Sequence, residues 1–280
     1  MNRKNEFLES CVVIDTETTQ IIGDKTPELL ELGYGLYVNG EWVINSELHN
    51  ATIPITPETS FFNNITQSMV DGKPIFSENI NPIPAATDHI NPLVAVAHNA
   101  SFDGLVMSQY GYNPEWICTL EIARKLFMND EDILNLKQPY LRYKFGILVD
   151  ADIVLHRTDG DVLICGHLLS ILIDMLEVLD IVNDDSPYAP QIIEWLKIPA
   201  IVNKYDFGKY KGDIIMDTVD VSHLKWLLWG PMKDPSNPKS LPVMETMQVD
   251  SSFYNRHLYY TVLKAYNKRT NSNIRFEISA

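Results

Sequence analysis

One stretch restricts what this chain can fold into more than any other: Cys11-Val12-Val13-Ile14-Asp15-Thr16-Glu17-Thr18. Four apolar or β-branched residues in a row read as a buried strand, the kind found in the middle of a sheet. Two carboxylates then follow, Asp15 and Glu17. Side chains alternate along a strand, so positions i and i+2 share a face, with Cβ atoms within ~7 Å. Like charges that close at the end of a buried strand repel unless a cation lies between them. A divalent metal is the economical explanation. Taken alone, the stretch fits equally a solvated strand end that carries two acids.

The next strand signal is Glu31-Leu32-Gly33-Tyr34-Gly35-Leu36-Tyr37-Val38, turning through Asn39-Gly40 into Glu41-Trp42-Val43-Ile44. Asn-Gly between two alternating runs is the strongest short hairpin signal. Residues 54–57 read as extended, 63–70 as a short helix, and the Asn- and Pro-rich residues 79–92 as mostly loop. A second buried strand, Leu93-Val94-Ala95-Val96-Ala97, runs into His98-Asn99-Ala100-Ser101-Phe102-Asp103, where a helix starts that continues to about Tyr110. Positions i and i+4 share a helix face, so Asn99 and Asp103 are expected to point together. That places a third carboxylate at the tip of a second strand. By itself the stretch reads by default as Asn99 capping the helix and Asp103 as a solvated first-turn acid.

Trp116-Ile117-Cys118-Thr119-Leu120 reads as a further strand, followed by a helix over 121–127 and a polar linker over 135–150. His156-Arg157-Thr158-Asp159-Gly160-Asp161 then opens a long apolar helix to about Ile181. Standing alone, this is a loop histidine and a capping aspartate. His167 is a rival for a functional histidine, but the acid after it, Asp174, falls well down the helix.

At 280 residues the chain can bury one full domain and a smaller one. It is 45% hydrophobic and 21% charged, which argues against long disorder. The first ten residues lack the apolar core of a secretory signal. The most apolar later stretch, residues 163–182, is broken by His167, Asp174, Glu177 and Asp180, so no membrane span is expected. Cys11, Cys118 and Cys165 have no paired spacing and read as small buried residues in a reduced, cytoplasmic compartment. The net charge of −15 first argues against a nucleic-acid partner. The two parts of the chain differ, however. Residues 1–196 hold 10 Lys and Arg against 29 Asp and Glu, a net of −19, while residues 197–280 hold 12 against 8, a net of +4. Such asymmetry suggests two modules, an acidic one suited to cations and a basic one suited to phosphates.

An Asp-x-Glu strand, an Asn-x-x-x-Asp helix and a His-x(4)-Asp helix, in that order, are together far more specific than any one of them. The set resembles the DEDDh family of 3′→5′ exonucleases, the proofreading-exonuclease-like group of the ribonuclease-H-like fold. Asp15 and Glu17 match the first motif, Asp103 the second, and His156 with Asp161 the third. One group within the family also carries segments like residues 94–103, 115–119 and 123–126. That group's small C-terminal module is similar to Phe207-Gly208-Lys209-Tyr210-Lys211-Gly212 and residues 223–228. The likeness covers roughly residues 10–265. There are departures: Thr158-Asp159-Gly160 replaces small residues after the motif histidine, Asn63 replaces a histidine before Ile-Thr, and Gln20-Ile21 stands where Gly-Leu is usual.

The resemblance implies an α/β, ribonuclease-H-like mixed sheet flanked by helices over residues 1–185, a linker over 186–202, and a small C-terminal α+β module over 203–280. It implies metal-dependent release of mononucleotides from the 3′ end of DNA, single-stranded or duplex, with no membrane partner. Two Mg²⁺ or Mn²⁺ ions would be held by Asp15 (bridging both), Glu17, Asp161 and Asp103, with His156 taking the proton of the attacking water. Asn99 and Phe102 would lie near the terminal nucleotide, although Phe102 reads more readily as core, and the Thr16 N–H would meet the chain end. The same site fits RNA or short oligonucleotides. A non-catalytic DNA-end-binding subunit is a further alternative, which retention of all four acids and the histidine counts against. In the C-terminal module, Lys204, Lys209 and Lys211 with Tyr205 and Tyr210 suit phosphate contact and base stacking. They suit equally a plain β-hairpin with a solvated basic face. Trp226, Leu227 and Trp229 read as the core of a small helix, and residues 256–269 as a final helix.

Overall fold

The computed structural model describes residues 2–19, 26–77, 94–149, 157–205, 208–229 and 254–275. His156, Gln20-Ile21, Phe207 and residues 79–92, all weighed above, lie outside the described residues.

The apolar run that begins β1 (Cys11–Thr18) is inaccessible to solvent from Cys11 to Ile14 and occupies the middle of a five-stranded sheet. The strand order is β3-β2-β1-β4-β5. β2 (Leu29–Val38) runs antiparallel to β1 and to β3 (Glu41–Leu48), whereas β4 (Val94–Ala97) and β5 (Trp116–Cys118) run parallel to β1. This 3-2-1-4-5 mixed sheet flanked by helices is the ribonuclease-H-like arrangement expected from the sequence. Asn39 and Gly40 adopt φ of 53° and 93°, so the β2–β3 turn has the two left-handed positions that match strand twist.

Register assigns the two faces of β1. Val13, Asp15 and Glu17 oppose Gly35, Gly33 and Glu31, and opposed residues share a face. On that face lies the long helix Thr158–Val178. It approaches closely because β2 offers glycines: a Cβ at Gly33 would come 2.4 Å from the Cβ of Thr158, and one at Gly35 2.7 Å from Cγ1 of Val162. On the opposite face Val12 and Ile14 pack with Leu32, Ala95 and the Val106–Met107 pair of the helix Ala100–Ser108. In chain order the helices are α1 (Arg3–Glu9), α2 (Pro57–Asn63), α3 (Gln67–Val70), α4 (Ala100–Ser108), α5 (Thr119–Phe127), α6 (Gln138–Lys144), α7 (Thr158–Val178), α8 (Tyr188–Lys197), α9 (Val221–Trp229) and α10 (Tyr254–Thr270).

Several sequence expectations are corrected. The helix expected over 63–70 is confined to α3 at Gln67–Val70, and Asn63 is instead the last residue of α2, which Asn64 ends by entering the left-handed region at φ 58°. Thr56 caps α2 by accepting from the Thr59 N–H, with Pro57 at its first turn. The polar stretch 135–150 contains α6. The segment read as a linker contains α8, anchored by buried Tyr188, whose hydroxyl donates to Glu177 at 2.8 Å.

The chain divides into two compact units, residues 1–123 with 132–196, and residues 124–131 with 197–280. The second has its own core of Val202, Tyr205, Ile215, Leu224, Leu228, Val262, Leu263 and Tyr266. Tyr205, weighed above for base stacking, belongs to this core and is 2% exposed. Trp226, assigned to the core from sequence, is instead 46% exposed. A strand hairpin is not present among the described residues of this unit. Lys204 and Ile214 form a single antiparallel bridge around a 3₁₀ turn at Gly208–Tyr210. Among the described residues no helix is long and apolar enough to cross a membrane.

Candidate active site

Asp15 and Glu17 stand at the far end of β1, on the face covered by α7. Asp161 lies in the first turn of α7. Ligand oxygens of Asp15, Glu17 and Asp161 all lie within 4.8 Å of one another. Three carboxylates contributed by strand and helix residues 146 positions apart thus converge on one spot, as the resemblance to the exonuclease family implied.

Asp103 joins from the other side of the strand. Thr16, between the two strand acids, points to that opposite face, and its N–H and Oγ1 each donate to Oδ1 of Asp103 at 2.9 Å. Asp103 is 3% exposed, so the ordinary reading of it as a solvated first-turn acid is ruled out. The expected role of Thr16 also changes. Its backbone N–H is taken by Asp103, so Thr16 holds a carboxylate in place instead of greeting a chain end.

The electrostatics are those of acids without enough countercharge. Burial first, then the charges of Asp103, Asp161, Glu17 and Glu31, hold Asp15 well above the usual carboxylate range. Burial, and then Asp161, Glu31 and Asp103, push Glu17 up to about 8, opposed by Arg157. Asp103 is raised to about 7 by burial, against the lowering effect of the two Thr16 hydrogen bonds. Oδ2 of Asp15 is buried with no hydrogen-bond partner among the described residues. An orphaned carboxylate oxygen amid three further acids is what hard divalent cations require, since they take oxygen ligands. The donor set fits Mg²⁺ or Mn²⁺.

Two participants were not found from the sequence. Glu31 is 1% exposed and accepts from Nε of Arg157 at 2.9 Å, from its Nη2, and from the Thr158 N–H at 3.2 Å. This clasp fastens the mouth of α7 to β2 directly opposite Glu17. Its only sequence signal is an acid inside an apolar strand run, and its partner is 126 residues away. The second is Asn63, noted above only as a departure. It is 2% exposed, donates from Nδ2 to the Thr18 carbonyl at 3.2 Å and accepts from the Ile65 N–H at 3.0 Å, tying α2 to the end of β1. The same helix presents Phe61 and Phe62, 80% and 66% exposed.

Asn99 precedes α4 with φ 88°, is exposed, and accepts from Oγ of Ser101 at 3.2 Å. Because it sits outside the helix in a left-handed conformation, the i, i+4 rule does not align it with buried Asp103. Phe102 is 40% exposed, so the core assignment is overturned and its ring is open to solvent. His156 adjoins the clasp in sequence and lies outside the described residues. Lys209 and Lys211 belong to the second unit. Lys209 lies 3.2 Å from Asp220 and over the Tyr210 ring, and Lys211 is exposed.

A model of the RNase T type, described as Exonuclease, matches residues 12–169, more than half of the chain and all four acids. The chain belongs to this exonuclease family. Among relatives, this exonuclease is similar to Exodeoxyribonuclease 10 of Escherichia coli strain K12, 29% identical over 219 residues that form 77% of this chain and 89% of that protein. The same-named protein of Escherichia coli O6:H1 matches at the same values. Among solved structures, Exonuclease X in complex with 5′ overhanging duplex DNA shares 28% identity, covering 59% of this chain and 92% of that one, with a TM-score of 0.46. The family membership makes the exonuclease a nuclease, and the acid cluster is its candidate centre.

Proposed function

We propose that this exonuclease removes mononucleotides from the 3′ end of DNA with two divalent cations and a histidine base. The observation that carries the proposal is the Asp15–Glu17–Asp161 cluster, backed by Asp103 and holding an orphaned carboxylate oxygen on Asp15. DNA as substrate is supported by the similarity to Exodeoxyribonuclease 10.

Asp15, Glu17 and Asp161, with Asp103 on the other side of the strand, are the residues that would hold the cations. Bound there, the cations would neutralise charge on the phosphate, lower the pKa of the attacking water and stabilise the leaving oxygen. The chain's own residues do the rest. Thr16 fixes Asp103 by two hydrogen bonds, so this acid cannot rotate toward solvent. The Glu31–Arg157 clasp fixes the first turn of α7 and with it Asp161. His156 immediately precedes that clasp in sequence and accepts the proton of the attacking water, a task suited to a group that titrates near neutrality. Asn99 and Phe102, both exposed beside the second acid, contact the terminal nucleotide, and Lys209 and Lys211 of the second unit contact phosphates. Glu17 and Asp103, at about 8 and about 7, would hold protons near neutral pH without cations. Bound cations would favour the ionised form of both groups.

The test uses 3′-labelled and 5′-labelled DNA, single-stranded and duplex, with RNA of the same sequence, all with Mg²⁺. The reading expects labelled mononucleotide at once from 3′-labelled DNA and a shortening ladder from 5′-labelled DNA. Degradation of RNA with DNA left intact would remove the substrate assignment. Binding of DNA without cleavage of either polymer would remove the catalytic one.

A further inference from the structure

Four rings in the second unit run from its core to its surface. Tyr205 is buried, and its ring centroid lies 6.0 Å from that of Tyr210 and 5.7 Å from His223. Tyr210 lies 4.5 Å from His223. His223 in turn lies 6.1 Å from Trp226, with the two planes 17° apart, and the indole is 46% exposed. The rings do not depend on one another alone for position. Asp220 accepts from the Tyr210 hydroxyl at 2.7 Å and from the backbone N–H of His223 at 3.0 Å, which fixes the start of the helix that carries the imidazole. Tyr205 and Thr218 hydroxyls meet at 3.0 Å. An isolated exposed tryptophan needs no explanation. One at the outer end of a hydrogen-bonded stack is a preorganised flat surface.

Two lysines on the neighbouring turn, Lys209, which also pairs with Asp220 at 3.2 Å, and Lys211, suit a polyanionic partner. Lys209 lies over the Tyr210 ring with Nζ 4.5 Å from its centroid, and Lys211 is exposed on the same turn. Residues 197–280 carry the chain's net positive charge, +4 against −19 for the remainder. A polyanion with flat apolar faces complements such a surface. Stacked bases in a duplex hide those faces, whereas a single strand presents them.

We propose that Trp226, backed by His223 and Tyr210 and accompanied by Lys209 and Lys211, is a second binding site for single-stranded DNA, holding a base on the open indole face and phosphates on the lysines. The choice of DNA over another single strand rests on the substrate reading above, while the stacking site does not require the acid cluster to be catalytic.

The test is fluorescence anisotropy of a labelled 20-nucleotide oligo(dT) with the intact chain in chelator, where metal-dependent cleavage does not intervene. Trp226→Ala is expected to weaken binding roughly 5- to 150-fold, the effect of losing one base–aromatic stack. Trp226→Phe should retain most of the affinity. Lys211→Ala should lower the slope of log affinity against log salt by about 0.7. A blunt duplex of equal length should lose much less affinity than the single strand on Trp226→Ala. Unchanged oligo(dT) affinity in Trp226→Ala, with the melting temperature also unchanged, would overturn the proposal and leave the indole face to a protein partner. Failure of wild type to bind oligo(dT) would overturn it too. The nuclease reading fails separately, if wild type releases no nucleotide with Mg²⁺. A Trp226-dependent loss of binding would still support the second site in that case.

Discussion

Asp15 shows what the cluster costs the fold. Its side chain is half-buried beside Glu17, Glu31, Asp103 and Asp161, and one oxygen is buried with no hydrogen bond among the described residues. Glu17, at about 8, and Asp103, at about 7, sit above their ordinary values of 4.5 and 3.8. A carboxyl group with a raised folded-state pKa binds protons more tightly folded than unfolded. Its stabilising effect is therefore full below about pH 4 and is lost as pH rises to about 8. Thermal melts in chelator should show stability falling across that window, and saturating Mg²⁺ should flatten the fall. Asp15→Asn should melt higher than wild type at pH 8 in chelator, because it removes a buried charge. A metal-free melt that is flat from pH 4 to 8 would contradict this. Asp15 and Glu17 were legible as a pair because strand alternation puts them on one face, whereas Asp103 and Asp161 were read from the resemblance of the three motifs to the exonuclease family. Glu31 was not, since its clasp closes over 126 residues of sequence. Phe102 was misassigned because its neighbour Asp103, in place of the aromatic ring, is the residue that α4 turns inward.

At the level of elements, the site depends on how α7 lies on β2. Gly33 permits the approach, and Gly33→Ala would drive a methyl group to 2.4 Å from Cβ of Thr158. The expected cost is ~1–3 kcal/mol in a urea melt, as for overpacking elsewhere, together with a loss of nuclease rate because Asp161 shifts with the helix. Glu31→Gln probes the same junction electrostatically. It leaves the guanidinium of Arg157 without its charge partner and should cost about 1–3 kcal/mol. Mn²⁺ affinity, followed by calorimetry, should fall as Asp161 loses its fixed position. Wild-type Mn²⁺ affinity in Glu31→Gln would show that the clasp serves stability alone. The β2–β3 hairpin was readable from Asn39-Gly40 because those residues are specialised for that turn. The split between α2 and α3 was not, since it depends on one left-handed residue, Asn64. α8 was hidden by the prolines and acids before it, and its buried Tyr188 is fixed by contacts that no local pattern announces.

Across the whole molecule, the two units place opposite demands on pH. In the second unit His257 is 1% exposed and held near pKa 3, chiefly by burial, against an ordinary 6.5. A histidine with a lowered folded-state pKa stabilises above about pH 6.5 and loses that effect as pH falls toward 3. Hydrogen exchange in chelator should therefore show protection of α10 amides decreasing from pH 7 to pH 4.5 after correction for intrinsic rate. Protection of β1 amides should increase over the same interval. Parallel behaviour of both would contradict the assignment of these groups. The division of charge along the chain was legible from composition, as was the presence of two modules. The interior of the second unit was less so, because Tyr205 and Trp226 exchange the roles that their neighbours suggest: the tyrosine beside Lys204 is buried and the tryptophan within an apolar helix is exposed. The account as a whole rests on the carboxylate cluster being a metal-dependent phosphodiesterase centre. The most direct measurement is nucleotide release from 3′-labelled single-stranded DNA by wild type and Asp15→Asn, in chelator and then with Mg²⁺ restored. The account predicts release only by wild type, only with the cation, and recovered on its return. Release in chelator, or at the wild-type rate by Asp15→Asn, would contradict it.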